Sequence, residues 1–432
     1  MTAVNSTSPV RVVVAHRGAR DSYQTARAME EAGILERLVT DLYWPVDTVE
    51  RIGLQGLIPA AVRRALGLRN SEGVPSGRTR SCGVSGLVSM ALERSSVPFA
   101  WRQRAIRWAD STIGRCAGRL ASRRDCAILS YSYYAHSAFT HYSGKRPRIL
   151  FQLHPHPESV RRILAQELAD HPECAASLLK EWELSLPAED FQRLADETRM
   201  AELWIAASSF TKETLVANGA PRDRVHVVPY GVDLSRFTPG SNVHRTPHSG
   251  PLRLLFAGTI NQRKGIAYLA QALQVFGKQD VELRVCGRVV DDLRVFERLG
   301  SQVRITPSVT RDELIEAYRE ADLFVFPSVA EGFGHVLLES LACGTPVLST
   351  TSTAAPDLID EGEQGFVVCP RDPFALASQI EWCLANRGRL ADMRQSCRER
   401  AERFTWARFR SGLASVLQNH AEEPETAHHA CV

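Results

Sequence analysis

The sequence predicts an α/β protein with two parallel sheets, and three observations lead there. Short unbroken apolar runs, such as VRVVVA from Val10 to Ala15 and LFVF from Leu323 to Phe326, have the composition of strands buried on both faces. Charged stretches of helical length, punctuated by Gly and Pro, separate these runs. At 432 residues the chain is too long for one ordinary core and long enough for two α/β domains.

Composition narrows the class. The formal charge of +3 gives no reason to expect a nucleic-acid partner. No apolar run approaches the roughly 20 residues that span a bilayer. Met1 to Pro9 is polar and does not read as a signal peptide, so a cytoplasmic location is expected. The ten cysteines show no C-x-x-C spacing and read as reduced thiols, with no zinc site. Only five of the 52 basic residues are lysines, which with abundant Ala and Arg suggests a GC-rich, bacterial genome.

The first strand, Val10–Ala15, runs into the loop His16–Arg20, and a helix capped by Asp21 or Ser22 ends at Gly33. Gly18 lies between Arg17 and Arg20, which suits an anionic ligand as well as an ordinary strand-to-helix loop. From Arg51 to Arg124 fourteen arginines face three acidic residues, interleaved with Leu, Ile and Trp. Such basic amphipathic helices lie on anionic membrane surfaces or cover a sheet face. Asn70–Gly83, rich in Ser, Gly and Arg, reads as a mobile loop.

Further strands are expected over Asp125–Ser132 and Arg148–Leu153. His154 follows the second directly, which places it at the carboxyl edge where open α/β sheets bind ligands. His156 is the less favoured choice, and a metal role finds no acidic or Cys partner nearby. Ser159–Met200 is charged and helical. Strands over 203–206 and 225–228 flank a helix that Gly219 stops, and the polar stretch 240–250 reads as a linker.

The second sheet opens at Leu252–Phe256, followed by GTINQRKG, where a glycine loop leads to Arg263 and Lys264 at a helix start. That is a phosphate site in outline. Strands over 282–285, 304–306 and 365–368 complete the sheet around the unit LFVFPSVAEGFGHVLLESLACGTPVLST. There Gly332 and Gly334 flank Phe333 before a helix over Val336–Ala342. Glu331 stands in the turn, and Glu339 lies about one and a half turns into the helix at ~3.6 residues per turn. A helix N-terminus offers N–H groups to phosphate while carboxylates accept from hydroxyls, so the unit suits a sugar nucleotide.

The residues EGFGHVLLESLACGTPV, with GTINQRKG before them, resemble the E-x7-E element of retaining glycosyltransferases of family 4 (glycosyl transferases group 1). The resemblance covers nearly the whole chain, strongest over 201–368 and weakest over 43–124. It implies the GT-B fold, two Rossmann-like domains facing each other across a cleft. The acceptor domain would span 1–240 and the nucleotide-sugar domain 250–403. A helix over 404–420 would cross back to the first domain, ahead of a disordered tail from 421 to 432.

The resemblance also implies a retaining transfer from a nucleoside diphosphate sugar, with no metal or other cofactor, to a glycan, lipid-linked or small-molecule acceptor. The pathway implied is bacterial polysaccharide or glycolipid synthesis, in the cytoplasm or peripherally at the inner membrane face through residues 51–124. Glu331 would orient the donor sugar or act as nucleophile, and His154 would orient a hydroxyl. Lys264 and Arg263 would offset the leaving diphosphate, and Glu339 would hold the ribose. Gly258, Phe333, Gly334, His335, Val309 and Gly18 would line the donor. Two departures stand out: Thr259 where an arginine is usual, and Gly18 alone where paired glycines are usual. A non-catalytic sugar-nucleotide or membrane-binding module, or a GT-B epimerase, is the alternative.

Overall fold

In the computed structural model, residues 10–44, 69–71, 73–93, 99–240, 248–290 and 293–422 are described. Among them the strands form two wholly parallel sheets. The first contains β1 (Val12–Ala15), β2 (Leu35–Thr40), β3 (Thr79–Ser81), β4 (Ala127–Tyr131), β5 (Arg148–Gln152), β6 (Leu203–Ala206) and β7 (Val225–Val227). Its order is β3-β2-β1-β4-β5-β6-β7. The second contains β8 (Leu252–Ala257), β9 (Val281–Cys286), β10 (Val303–Thr306), β11 (Leu323–Phe326), β12 (Val347–Thr350) and β13 (Gly365–Val368), in the order β10-β9-β8-β11-β12-β13. The apolar runs read from the sequence are the central strands. Val13, Leu129, Phe151, Leu255, Phe324 and Leu348 are almost wholly buried, as sheets covered on both faces require.

Two strands escape sequence reading for one reason: they do not need a continuous apolar run. β2 reads LERLVT, and its interior charges serve the protein surface. Glu36 pairs with Arg11 at 2.9 Å, and Arg37 donates to the Gly77 carbonyl at 2.7 Å. β3 is an edge strand of polar residues paired with β2, Leu38 opposite Thr79. The stretch 70–83 is therefore not the mobile loop its composition suggests. It holds a 3₁₀ turn at Ser76–Arg78 as well as β3, and the Tyr43 hydroxyl pins it through the carbonyls of Val74 and Ser71. Arg51, Arg63, Arg64 and Arg94 of the basic region, and the tail from 423, lie outside the described residues.

The charged region before β6 resolves into several helices. By chain order Pro157–Ser185 belongs with the first sheet, yet it packs on elements of the second. Val160, Leu164, Cys174 and Leu178 close over Ala267 and Ala330. The buried Glu167 accepts hydrogen bonds from Gln262 (2.7 Å), Tyr268 (3.2 Å) and Arg371 (2.5 Å). A carboxylate with no exposure is held only by such full pairing.

The last helix, Trp406–Glu422, returns to the first sheet as expected. Arg410 bonds to Glu31 and Gln24 of the helix Gln24–Glu31, each at 2.7 Å. Phe409 enters an aromatic cluster with Phe151 and Tyr230. The crossing needs a glycine: a Cβ on Gly231 would come within 2.2 Å of the Trp406 nitrogen. Gly231→Ala is expected to push the start of this helix outward and to cost about 1–3 kcal/mol, the usual range for forced overpacking. A lowered urea midpoint with unchanged helix content by circular dichroism is the measurement that checks it.

Candidate active site

In each sheet the strand order reverses beside the first strand of its domain, between β1 and β4 and between β8 and β11. Ligands of open α/β sheets sit at such switch points, beyond the carboxyl ends of the strands. Because β8 and β11 are neighbours, Leu254 opposite Leu323, the loops leaving them meet. Val329 N–H and Ser328 Oγ both donate to the Arg263 carbonyl, at 3.0 and 2.9 Å. This brings Lys264, from the loop after β8, onto Glu331, from the loop after β11, as a partly buried ion pair. Burial alone would raise the Glu331 carboxyl, but the Lys264 ammonium, with Arg263 behind it, pulls its pKa down to about 2. The pair's contribution to stability is therefore complete above the ordinary carboxyl range and fades as pH falls toward 2.

Gly334, at φ +82°, is the N-cap of the helix His335–Ala342, so the chain turns from Glu331 directly into a helix N-terminus. Its first N–H groups and positive dipole end lie beside the Lys264–Glu331 pair. Glu339 sits one turn along this helix, accepts a hydrogen bond from the Tyr318 hydroxyl at 3.1 Å, and has its pKa raised by burial. Tyr318 belongs to the helix Arg311–Glu320. Val309 is in the loop that joins β10 to that same helix and packs on the core. Gly258 follows β8 and donates its N–H to the Cys286 carbonyl at 2.9 Å.

The first domain supplies the facing wall. His154 follows β5, half-buried, its ring edge-on to Tyr133 with centroids 5.6 Å apart. Burial, then the Arg263 charge, hold its pKa down to about 4, so it is a neutral hydrogen-bonding group at pH 7. His156 is turned away. It is buried, and its ring accepts the Glu158 N–H to cap the helix Pro157–Asp170. The walls touch at Gly332: a Cβ there would lie 2.2 Å from the Leu153 carbonyl oxygen. Ser208 and Thr211 donate to the Gly332 carbonyl from the first domain, at 2.5 and 3.1 Å.

Four expected donor contacts have other partners. The Arg263 guanidinium binds Glu181 at 2.9 Å, Glu183 at 3.4 Å and the Ala330 carbonyl at 3.0 Å, so its charge is compensated within the protein. Phe333 is buried against Tyr230, and His335 stacks on the same ring at 4.9 Å. Gly18 gives its N–H to Asp41 at 2.9 Å, while Arg17 pairs with Asp110 and Arg20 donates to the Tyr134 hydroxyl. Glu181, Glu183 and Tyr133 were not anticipated. The two glutamates sit in the short helical turns around Trp182, where no periodicity marks them; Tyr133 follows β4 at a switch point, and the strand-end rule reaches it.

Residues 244–404 match the family model described as glycosyl transferases group 1. Over this segment the chain is similar to the glycosyl transferases group 1. The match runs from β8 past β13 and includes Lys264, Glu331 and Glu339; His154 and Gly18 fall outside it. The chain is 35% identical over 218 residues to a D-inositol 3-phosphate glycosyltransferase of Xylanimonas cellulosilytica, covering 46% of this chain and 52% of the relative. It is 32% identical over 247 residues to the protein of that name from Paenarthrobacter aurescens, covering 54% and 59%. The chain thus spans little more than half the length of the curated relatives it matches. Among solved structures, sucrose-phosphate synthase from Thermosynechococcus elongatus superposes with TM-score 0.62 at 18% identity, covering 95% of this chain and 99% of that one. Anabaena HepE in complex with UDP-glucose gives 0.59 at 16%, covering 95% and 100%. The shared architecture is the GT-B fold, and the described residues present no cluster of three or more metal-ligating side chains.

The site makes a titration testable. The His154 imidazole resonance, assigned by its loss in His154→Asn, is expected to stay neutral from pH 8 to 5 and to titrate near 4. Titration near the ordinary 6.5 would place the ring in open solvent.

Proposed function

We propose that the protein is a retaining glycosyltransferase that moves a sugar from a nucleoside diphosphate sugar to a hydroxyl held by the first domain. The observation that carries this reading is the Lys264–Glu331 pair at the β8/β11 switch point, beside a helix N-terminus and opposite His154. Breaking the sugar–phosphate bond builds charge on the leaving diphosphate. Lys264 and the first turn of the helix His335–Ala342 offset that charge where water is excluded. Glu331, ionised at any physiological pH, accepts hydrogen bonds from the donor sugar and orients it for attack from the face of departure. Glu339 accepts from the ribose hydroxyls, close to the nucleotide pocket expected beside Val309. Neutral His154 aligns a sugar hydroxyl.

Arg263 takes a different part from the one its position suggests. With Glu181 and Glu183 compensating it, this arginine braces the donor loop against the first domain and leaves Lys264 as the cation for the diphosphate. Two features support the nucleotide-sugar reading from outside: the relatives are named as glycosyltransferases, and a solved neighbour of the same fold holds UDP-glucose.

A membrane-surface acceptor is consistent with the first domain. Val84, Leu87 and Val88 are exposed on the helix Gly83–Glu93, and Trp101 and Trp108 are exposed on Phe99–Arg124, with Arg104 over the Trp101 ring. Exposed apolar and aromatic groups among arginines suit an anionic lipid surface. No helix of the described residues is long and apolar enough to cross a membrane.

A panel of UDP-, GDP- and ADP-sugars should stabilise the protein selectively, through ligand binding to the folded state. With the selected donor, Glu331→Ala and Lys264→Ala are expected to lose transfer by a factor of about 10²–10³, the usual cost of removing one preorganised electrostatic contact, with the circular dichroism spectrum kept. Near-normal rates in both variants would sink the assignment. Binding without release of nucleotide from any donor would point to a binding module, and inversion at the anomeric carbon would exclude retention.

A further inference from the structure

A second concavity lies in the first domain behind Tyr133, outside the cleft between the sheets. Its volume is about 320 Å³, at the lower end of ordinary ligand pockets. It is enclosed by the helices Phe99–Arg124, Ala135–Thr140 and Ala188–Met200, with Trp182 at its edge. Nothing in the proposed chemistry uses it.

The lining combines aromatic faces with hydrogen-bonding groups whose charges cancel. Trp182 and Tyr133 meet edge-to-face with centroids 6.0 Å apart, and Ile106 and Leu194 add apolar wall. Arg107 is paired with Asp190, Arg193 with Glu189 at 2.5 Å, and the lining Asp110 with Arg17 at 3.0 Å. Each lining guanidinium among the described residues thus has a carboxylate partner, an arrangement that favours a neutral ligand over a phosphate. His136 is held neutral by burial and by Arg193, and offers ring nitrogens to a hydroxyl. Thr140 and Ser137 add hydroxyls at the rim.

One residue joins this cavity to the cleft. Tyr133 adopts φ +76°, a left-handed conformation costly for a bulky side chain. It is fixed there by the buried Glu197 carboxylate, which accepts the N–H groups of Tyr133 at 2.8 Å and His136 at 3.0 Å. The ring that results lines the cavity, abuts His154, and donates its hydroxyl to Glu183 at 3.0 Å. Glu183 binds Arg263, which holds the carbonyl of Ala330 beside Glu331. Strained backbone of this kind, held by a buried carboxylate, clusters at functional sites.

We infer that this cavity is an acceptor subsite that takes an uncharged sugar ring, its C–H face laid on Trp182 and its hydroxyls met by Asp110, Asp190 and His136. The inference rests on the glycosyltransferase reading for the word acceptor, while the binding it requires is measurable without any transfer. Aromatic surfaces bordered by convergent polar groups are the general form of a small-ligand site.

The test is saturation-transfer NMR on the full chain with methyl α-D-glucoside, methyl α-D-galactoside, methyl α-D-mannoside and glucose 6-phosphate as probes. UDP binding is measured on the same samples by calorimetry. At least one neutral glycoside is expected to bind. Trp182→Ala, which removes the exposed platform, and Thr140→Trp, which obstructs the rim from an exposed position, should each weaken it about tenfold or more, ~1.4 kcal/mol. UDP affinity should stay within about twofold of the parent protein, a difference below 0.5 kcal/mol. The inference is overturned if no neutral glycoside binds, if both variants bind it as the parent does, or if glucose 6-phosphate binds better than its neutral counterparts. Loss of UDP binding in the parent protein would instead count against the donor site and leave the sugar result to judge the cavity.

Discussion

The site depends on one close approach, the backbone of Gly332 against the end of β5. Glu331 and His154 come from different sheets, and nothing within either domain sets their separation. What sets it is a carbonyl at Gly332 that receives two hydroxyls, from Ser208 and Thr211, and a Cα pressed against Leu153 with no room for a side chain. Ser209 adds a second tie, its N–H and hydroxyl both meeting the Asp357 carboxylate, at 2.8 and 2.5 Å. A turn that carries the Glu331 carboxylate to the domain boundary thus uses its neighbouring glycine as the contact surface.

The electrostatics follow from that docking. Bringing the domains together buries Arg263, Lys264, Glu181, Glu183 and Glu331 in one region, and isolated charges there would each cost several kcal/mol. The chain instead arranges them as two cations against three anions, with Tyr133 and the Ala330 carbonyl taking up further hydrogen-bonding capacity. The surplus of negative charge is offset by the helix N-terminus at Gly334, which supplies positive potential without a side chain. The compensation is made by geometry, chiefly by Lys264 standing directly on Glu331.

Much of this was legible in the sequence, unevenly and for physical reasons. The central strands were readable because burial on both faces demands continuous apolar runs, as at Leu323–Phe326. The strand-end rule then located His154, Lys264 and Glu331, since a residue just past a parallel strand has few other places to be. β2 and β3 were not readable, because an edge strand and its neighbour spend part of their sequence on surface polarity. The part played by Arg263 was not readable either. Its partners Glu181 and Glu183 lie about 80 residues earlier, in short helical turns with no recurring pattern, and only the tertiary fold brings them within reach.

The same fold changes what domain closure can mean here. Closure of two lobes on a substrate is normally a movement about the chain connections, with the facing walls free to part. In this protein the segment Pro157–Ser185 precedes the linker in sequence but lies on the second domain, tied through Glu167 to Gln262, Tyr268 and Arg371 and through Glu181 to Asn261 at 2.8 Å. Opening the cleft must either break these buried bonds or carry the segment along with the donor domain. Exposing an unpaired Glu167 and Arg263 is the costlier course, since each would lose charge-assisted hydrogen bonds together. An opening of the cleft that keeps these bonds carries the segment with the second domain, and it must then part Glu183 from Tyr133 of the first.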